Sequence, residues 1–316
     1  MQYTVVIRTL GTAGDYYQRT LNSLLEQTIK PKAVIIYIAE GYEIPNETIG
    51  IEQYVYVKKG MVAQRALPYN EVETGYMLFL DDDVYLPPNG GETLYHEMTE
   101  HKAQEISPCV FSNHQVSWKS KIIQSIMGKE VARLWGKRWG YKVLRTGGFS
   151  YNNNPVAPVY ESPTNAGPCF FCRKDDFLKI KYHEELWLDE TPYALPDDQV
   201  MFYKMHLCGL KILTTFDSGI VHLDAGSTMQ AEEKVLKVIY SEYRNKTIFW
   251  HKYIYGKEKN MVLRIWCRFC FGYMLAVQYL RYVIKLIKGK KSEVEAFRRG
   301  VKDGKNYIRK HNPHSV

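Results

Sequence analysis

Cysteine is scarce in this chain, six in 316 residues, and the spacings do not resemble a secreted disulfide framework. Two Cys-x-x-Cys pairs occur, Cys169–Cys172 and Cys267–Cys270. One falls in a β-like run and the other in an aromatic helical run, so neither reads as a zinc knuckle. A basic-then-apolar leader is missing: Met1-Gln2-Tyr3-Thr4-Val5-Val6-Ile7 opens directly as a strand, and no signal peptide is expected. No internal repeat and no low-complexity tract is visible. A Gly-rich phosphate loop followed by Lys is also lacking, since Gly11-Thr12-Ala13-Gly14 meets no Lys or Arg before Arg19. No nucleic-acid-binding module is recognisable. Long uncharged runs are absent as well. The apolar segment Met261 to Ile287 is interrupted by Arg264, Arg268, Arg281 and Lys285, and its longest uncharged stretch is Phe269 to Leu280. That is far short of the ~20 residues that span a bilayer.

Acidic residues are nearly missing from one end of the chain. From Arg244 to Val316 there are 18 Lys/Arg and 4 Asp/Glu, a balance of +14. Of the totals of 42 and 34, this leaves 24 basic and 30 acidic residues before Arg244, a balance of −6. The basic character therefore belongs to a tail, which implies an anionic partner for that tail, a membrane surface or a nucleic acid. An apolar fraction of 45% is ample for a core, and the length allows one large α/β domain plus an extension.

The most informative stretch is Tyr76-Met77-Leu78-Phe79-Leu80-Asp81-Asp82-Asp83-Val84-Tyr85. A short apolar run of this kind reads as a strand buried on both faces. The acids then lie at its carboxyl end, where open α/β sheets bind ligands. Adjacent carboxylates repel unless a cation or a set of donors compensates them. If the extended geometry continues, Asp81 and Asp83 point the same way and Asp82 points opposite. Two hard oxygen ligands on one side suit Mg²⁺ or Mn²⁺ shared with a phosphate. A solvated acidic turn would show the same three letters, so the context decides.

The context is a strand–helix alternation. Tyr3 to Leu10 and Ala33 to Ala39 read as buried strands, and Tyr54 to Val57 as a shorter one. Tyr16 to Gln27 reads as a helix with Tyr17, Leu21, Leu24 and Leu25 at helical spacing, and Asp15 as its N-cap. A helical piece carrying Gln64 and Arg65 precedes the acidic strand. Gly91 to Lys102 reads as a helix, Ile106 to Phe111 as a strand, and Asn113 to Thr164 as irregular. Gly167 to Arg173 is a further strand and Lys174 to Ile180 a short helix. Pro196-Asp197-Asp198 suits a helix start, with acids at its positive end. Lys211 to Thr215 and Gly219 to His222 read as strands, and Glu232 to His251 as a helix. Such alternation predicts an α/β fold with a parallel, doubly wound sheet. The division expected is a body over residues 1–228 and a helical basic extension over 229–316.

Read jointly and in order, these motifs resemble the inverting glycosyltransferases of family 2 over roughly Thr4 to Tyr253. Leu21-Asn22-Ser23-Leu24-Leu25-Glu26-Gln27-Thr28 resembles that family's first helix. Phe79 to Val84 resembles its metal and nucleotide-sugar motif, of the DXD type. Asp197-Asp198 resembles its Glu-Asp base motif, with Asp in place of the usual Glu. His222-Leu223-Asp224-Ala225-Gly226-Ser227 and Tyr243-Arg244-Asn245-Lys246 resemble the His-x-x-Gly-Ser and Arg-Asn elements that follow. The resemblance implies the nucleotide-diphospho-sugar transferase fold called GT-A, a Rossmann-like and mostly parallel sheet. It also implies that Thr9, Glu40 and Arg65 line the nucleotide pocket and that His222 is a third metal ligand.

The residues suit that chemistry on their own terms. A divalent ion, Mn²⁺ or Mg²⁺, held by Asp83, with Asp81 binding it through water or reaching the nucleotide ribose, would neutralise a leaving diphosphate. Asp82 belongs to the same cofactor-binding stretch. The acceptor hydroxyl loses a proton as it attacks, and Asp198, beside Asp197, is the candidate base. Helix capping is the structural alternative for this pair. The expected partners are a nucleotide-diphospho-sugar donor, a glycan or lipid-linked glycan acceptor, and an anionic membrane surface, with no nucleic acid. The location expected is cytoplasmic, peripheral at the inner face of the cell membrane, with Phe269, Phe271, Tyr273 and Leu275 as the apolar contact; the alternative for Met261 to Ile287 is a helix packed on the body with a solvated basic face. Two other readings share part of this pattern: a nucleotidyltransferase-like Rossmann enzyme, and a non-enzymatic glycan- or nucleic-acid-binding protein with a basic tail.

Overall fold

The computed structural model describes residues 1–110, 117–128, 139–152, 154–223, 232–287 and 289–311. The amino-terminal part runs β1 (Thr4–Thr9), α1 (Asp15–Leu25), β2 (Ala33–Ala39), β3 (Glu52–Val57), β4 (Tyr76–Asp81), β5 (Val84–Tyr85), α2 (Gly90–Glu100) and β6 (Glu105–Pro108). Next come α3 (Trp118–Ile126), β7 (Tyr141–Val143), β8 (Phe149–Tyr151), β9 (Val159–Glu161), β10 (Cys169–Arg173) and α4 (Lys174–Lys179). A 3₁₀ segment (Tyr182–Leu188) leads to α5 (Asp197–Leu207), β11 (Ile212–Thr215) and β12 (Val221–His222). The chain finishes with α6 (Glu232–Phe249), a π-helical turn (Trp250–Tyr255), α7 (Met261–Ile287) and α8 (Lys291–His311).

The protein is mixed α/β. Its central sheet has eight strands in the order β3-β2-β1-β4-β10-β6-β11-β9. The strands β3, β2, β1 and β4 are parallel neighbours, and β6 and β11 form another parallel pair. β10 runs antiparallel to both β4 and β6, and β9 antiparallel to β11. The sheet is thus mostly parallel and Rossmann-like, as expected, with β10 and β9 the two reversed strands. β10 can run backwards because it does not return through a crossover helix from β6: the chain from β6 to β10 passes through α3 and three short strands first.

Side-chain alternation splits the core into two layers. Val5, Ile7, Val34, Ile36, Leu78 and Leu80 pack on α1 and α2 through Leu21, Leu24, Leu94 and Met98. Val6, Ile35, Tyr37, Met77 and Phe79 face the other way, onto Val200, Phe202 and Met205 of α5. Cys169 and Cys172 point into opposite layers, and all six cysteines are free thiols.

Three local expectations change. The piece around Gln64 and Arg65 is a run of turns, not a helix. The Asp189 carboxylate accepts from Val62 N at 3.0 Å and Ala63 N at 2.8 Å, which caps the turn, and Pro68 forbids its extension. Asn113 to Thr164 is not irregular throughout, since it holds α3, β7, β8 and β9. Those strands are three residues each, and β9 pairs with the distant β11, which local pattern cannot reveal. Helix α1 begins at Asp15 with Gly14 as its cap, so Asp15 supplies first-turn charge rather than a cap.

Helices α6 to α8 pack on the body. Ile248, Phe249, Tyr253 and Ile308 belong to the same core layer as the sheet. Glu185, fully buried, accepts from Lys204 at 2.9 Å, Lys252 at 2.8 Å, Trp187 Nε1 at 2.7 Å and the Tyr253 hydroxyl, and so ties the π-helical turn to α5. Arg244 pairs with Glu190 and donates to the Trp187 carbonyl at 2.8 Å. By length and composition α7 could cross a membrane, contrary to the expectation from its uncharged run. Its Cys267, Phe271, Met274 and Tyr282 instead pack against α6, the π-helical turn and α8. Phe271 is therefore not free for a surface: it stacks on Trp250 at 4.2 Å. Leu275 is partly buried in the same cluster, whereas Phe269 and Tyr273 are exposed.

Candidate active site

β1 and β4 are parallel neighbours, so Arg8 and Asp81 arrive side by side at one edge of the sheet. Arg8 Nε donates to Asp81 Oδ1 at 2.9 Å, and Arg8 Nη1 to the Met61 carbonyl at 2.9 Å. The capped turn delivers Arg65 to the same place. Its side chain, 2% exposed, pairs with Asp198, lies 3.4 Å from Asp81 and 3.6 Å from Asp197, and donates to Gly167 O at 2.9 Å. Asp197 and Asp198 open α5, with their charges at its positive end. Arg8 reaches Asp197 at 3.5 Å and Asp198 at 3.9 Å. Two guanidinium groups thus interleave with three carboxylates.

The environments of the two α5 acids differ. Burial, then the neighbouring Asp198 charge, pushes Asp197 above the usual carboxylate range. Burial also pushes at Asp198, but Arg65 and Arg8 more than offset it and hold that carboxyl below its ordinary value. The Asp198 side chain is 21% exposed and that of Asp197 only 6%, so a substrate can meet Asp198. Gly167 makes room for it: its N–H donates to Asp198 Oδ2 at 3.2 Å, and a Cβ there would overlap the carboxylate.

The remaining acids do not follow strand alternation. β4 ends at Asp81, and the chain turns through Asp82 and Asp83 before β5. Asp81 and Asp83 consequently face different partners instead of one shared side. Thr9 Oγ1 donates to Asp82 Oδ2 at 2.5 Å and accepts from Gly11 N at 2.8 Å. Burial raises Asp82 to about 6 against the pull of that Thr9 bond, with Asp81 and Asp83 adding to the rise. Asp83 Oδ1 lies 3.0 Å from His222 Nε2, brought there by the β5–β12 ladder that pairs Val84 with His222. Among the described residues, no group of three or more His, Cys, Asp or Glu side chains is arranged to hold a metal ion. The Asp83–His222 pair supplies two donors of the kind a divalent cation accepts, too few to cage one.

Of the residues expected from sequence, Asp81, Arg65, Asp197 and Asp198 come together. Thr9 and Asp82 form a second pair, and Asp83 and His222 a third. Glu40 is exposed in the turn after β2 and joins none of these among the described residues. Residues 224–227 of the His-x-x-Gly-Ser element, and the boundary near Thr228, lie outside the described residues. Arg8, Gly167 and Asp189 were not anticipated. Arg8 carried a signal, because a charge inside a buried β-branched run must find a partner.

A cleft of about 550 Å³ adjoins the cluster. Met61 and Gln64 line it, and they are also the residues bonded to Arg8 and to the Thr9 carbonyl. Lys59, Tyr193 and Lys237 complete much of its wall. No protein-family model matches the chain, and no curated protein matches it.

Proposed function

We propose that this protein is an inverting glycosyltransferase with a GT-A-type sheet, moving a sugar from a nucleotide-diphosphate donor to a glycan hydroxyl. The observation that carries the reading is the convergence of Arg8, Arg65, Asp81, Asp197 and Asp198 at the carboxyl edge of β1 and β4. That edge is where open α/β sheets bind ligands, and the adjoining cleft offers Lys59 and Lys237 to an anionic donor.

The acceptor hydroxyl gives its proton to Asp198 as its oxygen attacks the anomeric carbon and the bond to the diphosphate breaks. One displacement inverts the centre and needs no nucleophilic side chain. In the substrate-free chain, Arg65 and Arg8 keep Asp198 ionised but weakly basic. An arriving diphosphate competes for the same guanidinium groups, which raises the proton affinity of Asp198 at the moment it is needed. A bound Mn²⁺ or Mg²⁺ supplies charge neutralisation at the leaving diphosphate. Asp83 and His222 would hold it, and Asp82, fixed by Thr9, sets the turn that aims Asp83. Exposed apolar residues on α7 and the basic excess of the tail support peripheral attachment at the inner face of the membrane, next to a lipid-linked acceptor.

The test is turnover of nucleotide-sugar donors in Mn²⁺. Asp198→Asn is expected to keep donor binding, read as a thermal shift, while lowering turnover by ~10²-fold or more. Asp197→Asn is expected to cost less. An Asp198→Asn enzyme with undiminished turnover refutes the assignment of the base.

A further inference from the structure

The C-terminal helices enclose a second cleft, away from the acidic cluster, and its reading rests on the membrane attachment proposed above. It holds about 440 Å³ between the π-helical turn, the middle of α7 and the end of α8. One wall is aromatic: Trp250 stacks on Phe271 at 4.2 Å and on Tyr255 at 5.2 Å. The other is cationic, formed by Arg268, Lys305 and Arg309, and among the described residues no Asp or Glu lines the cleft. Arg268 donates to the Tyr255 hydroxyl at 2.8 Å and lies 5.0 Å from the centre of that ring. Lys305 and Arg309 are exposed and form no ion pair among the described residues. Three cations on one concave wall repel each other until an anion joins them. A tetrahedral phosphate suits the set, since it offers several acceptor oxygens to two guanidinium forks and one ammonium.

A soluble phosphate accounts for the cations but not for the surroundings. Arg268, Gly272 and Leu275 line the cleft from α7. The adjacent Phe269 and Tyr273 turn outward, 61% and 42% exposed, and Ile265, Leu280 and Ile284 continue that apolar face. Helix α3 extends it sideways with exposed Trp118, Ile122, Ile123 and Ile126, and is joined to α7 by the Tyr273 hydroxyl donating to Ile126 O at 2.6 Å. An apolar surface of this breadth beside a basic cleft matches a ligand with an anionic head and hydrocarbon chains. We propose that the cleft is a headgroup site for an anionic phospholipid. The phosphate lies against Arg268, Lys305 and Arg309, and the acyl chains run along the outer face of α7.

The test uses the full chain and flotation with vesicles of phosphatidylcholine, alone or mixed with phosphatidylglycerol, and no enzymatic readout. The double substitution Lys305→Glu with Arg309→Glu is compared with Lys259→Glu with Lys310→Glu. Both pairs change net charge equally, but Lys259 and Lys310 lie outside the cleft. The cleft variant is expected to lose affinity for the phosphatidylglycerol vesicles by about tenfold or more, and the control to keep it within about twofold. Circular dichroism checks that both variants fold as the parent does. Equal losses would reduce the site to diffuse surface attraction and overturn the proposal, as would a parent chain that ignores phosphatidylglycerol. Glycerol 3-phosphate and inorganic phosphate are then tested as competitors. If either releases the protein from vesicles as well as short-chain phosphatidylglycerol does, the cleft serves a soluble phosphoester and the lipid assignment fails.

Discussion

Asp197 and Asp198 are sequence neighbours with different electrostatic positions, and the difference comes from what surrounds each. Asp197 is sealed behind Arg8, Arg65 and its neighbour's charge, whereas Asp198 reaches the surface across Gly167. Gly167→Ala is therefore expected to dislodge Asp198 and cost turnover about as much as Asp198→Asn, with the unfolding midpoint little changed; a fully active Gly167→Ala enzyme would show that Asp198 needs no such placement. A second residue makes stability depend on pH. Glu105 is buried in β6 among Ser107 and Asn165, and burial raises its carboxyl to about 8 despite those hydrogen bonds. An acid whose folded value lies above its unfolded value of about 4.5 contributes fully below that lower value. The contribution is lost as the pH rises through about 8. Glu105→Gln, which stays neutral, is expected to flatten the fall in unfolding midpoint between these limits. A parallel decline in both proteins would place the titration elsewhere.

At the scale of elements, β1, β2 and β4 were legible because each is a compact apolar run whose two faces are both buried. The end of β4 was not, since alternation holds only while the chain stays extended, and it turns after Asp81. The contact of α8 with α6 shows the same limit. Gly300 and Gly304 sit one turn apart on α8, where a Cβ would come within 2.6 Å of Tyr240 O and 2.8 Å of Arg244 O respectively. The pair lets two helices approach backbone to backbone, which no periodicity of apolar residues announces. Gly300→Val is expected to lower stability by about 1–3 kcal/mol through overpacking, measured by denaturant unfolding. A neutral result would mean that the helices separate without cost.

For the whole molecule, the charge division does not coincide with a structural one. The tail carries the basic excess, yet Tyr253 and Ile308 lie in the core layer that covers the sheet. Truncation after His251 would remove Lys252 and Tyr253 from the buried Glu185 and strip α8 from α6. Glu185 keeps Lys204 and Trp187, but each lost hydrogen bond to a buried charged group costs roughly 1.5–3 kcal/mol, before the lost packing is counted. The truncated chain is expected to aggregate or to unfold without a cooperative transition in calorimetry. A soluble fragment with the parent's midpoint would show that the body folds without its helices.

Composition and period alone determined the α/β class, the strands that carry Arg8 and Asp81, the helix that begins at Asp197, and the helical, basic character of the tail. These depend on neighbours within a few residues, where the spacing of apolar side chains acts directly on the backbone. Only the tertiary structure decided the reversal of β10, the meeting of Arg8 and Arg65 with acids more than a hundred residues away, and the separation of Asp83 from Asp81. It also decided the burial of Phe271 and the basic cleft it walls. Each of these follows from pairings between distant segments, and their free energy exists only once the sheet and the C-terminal helices have packed around them.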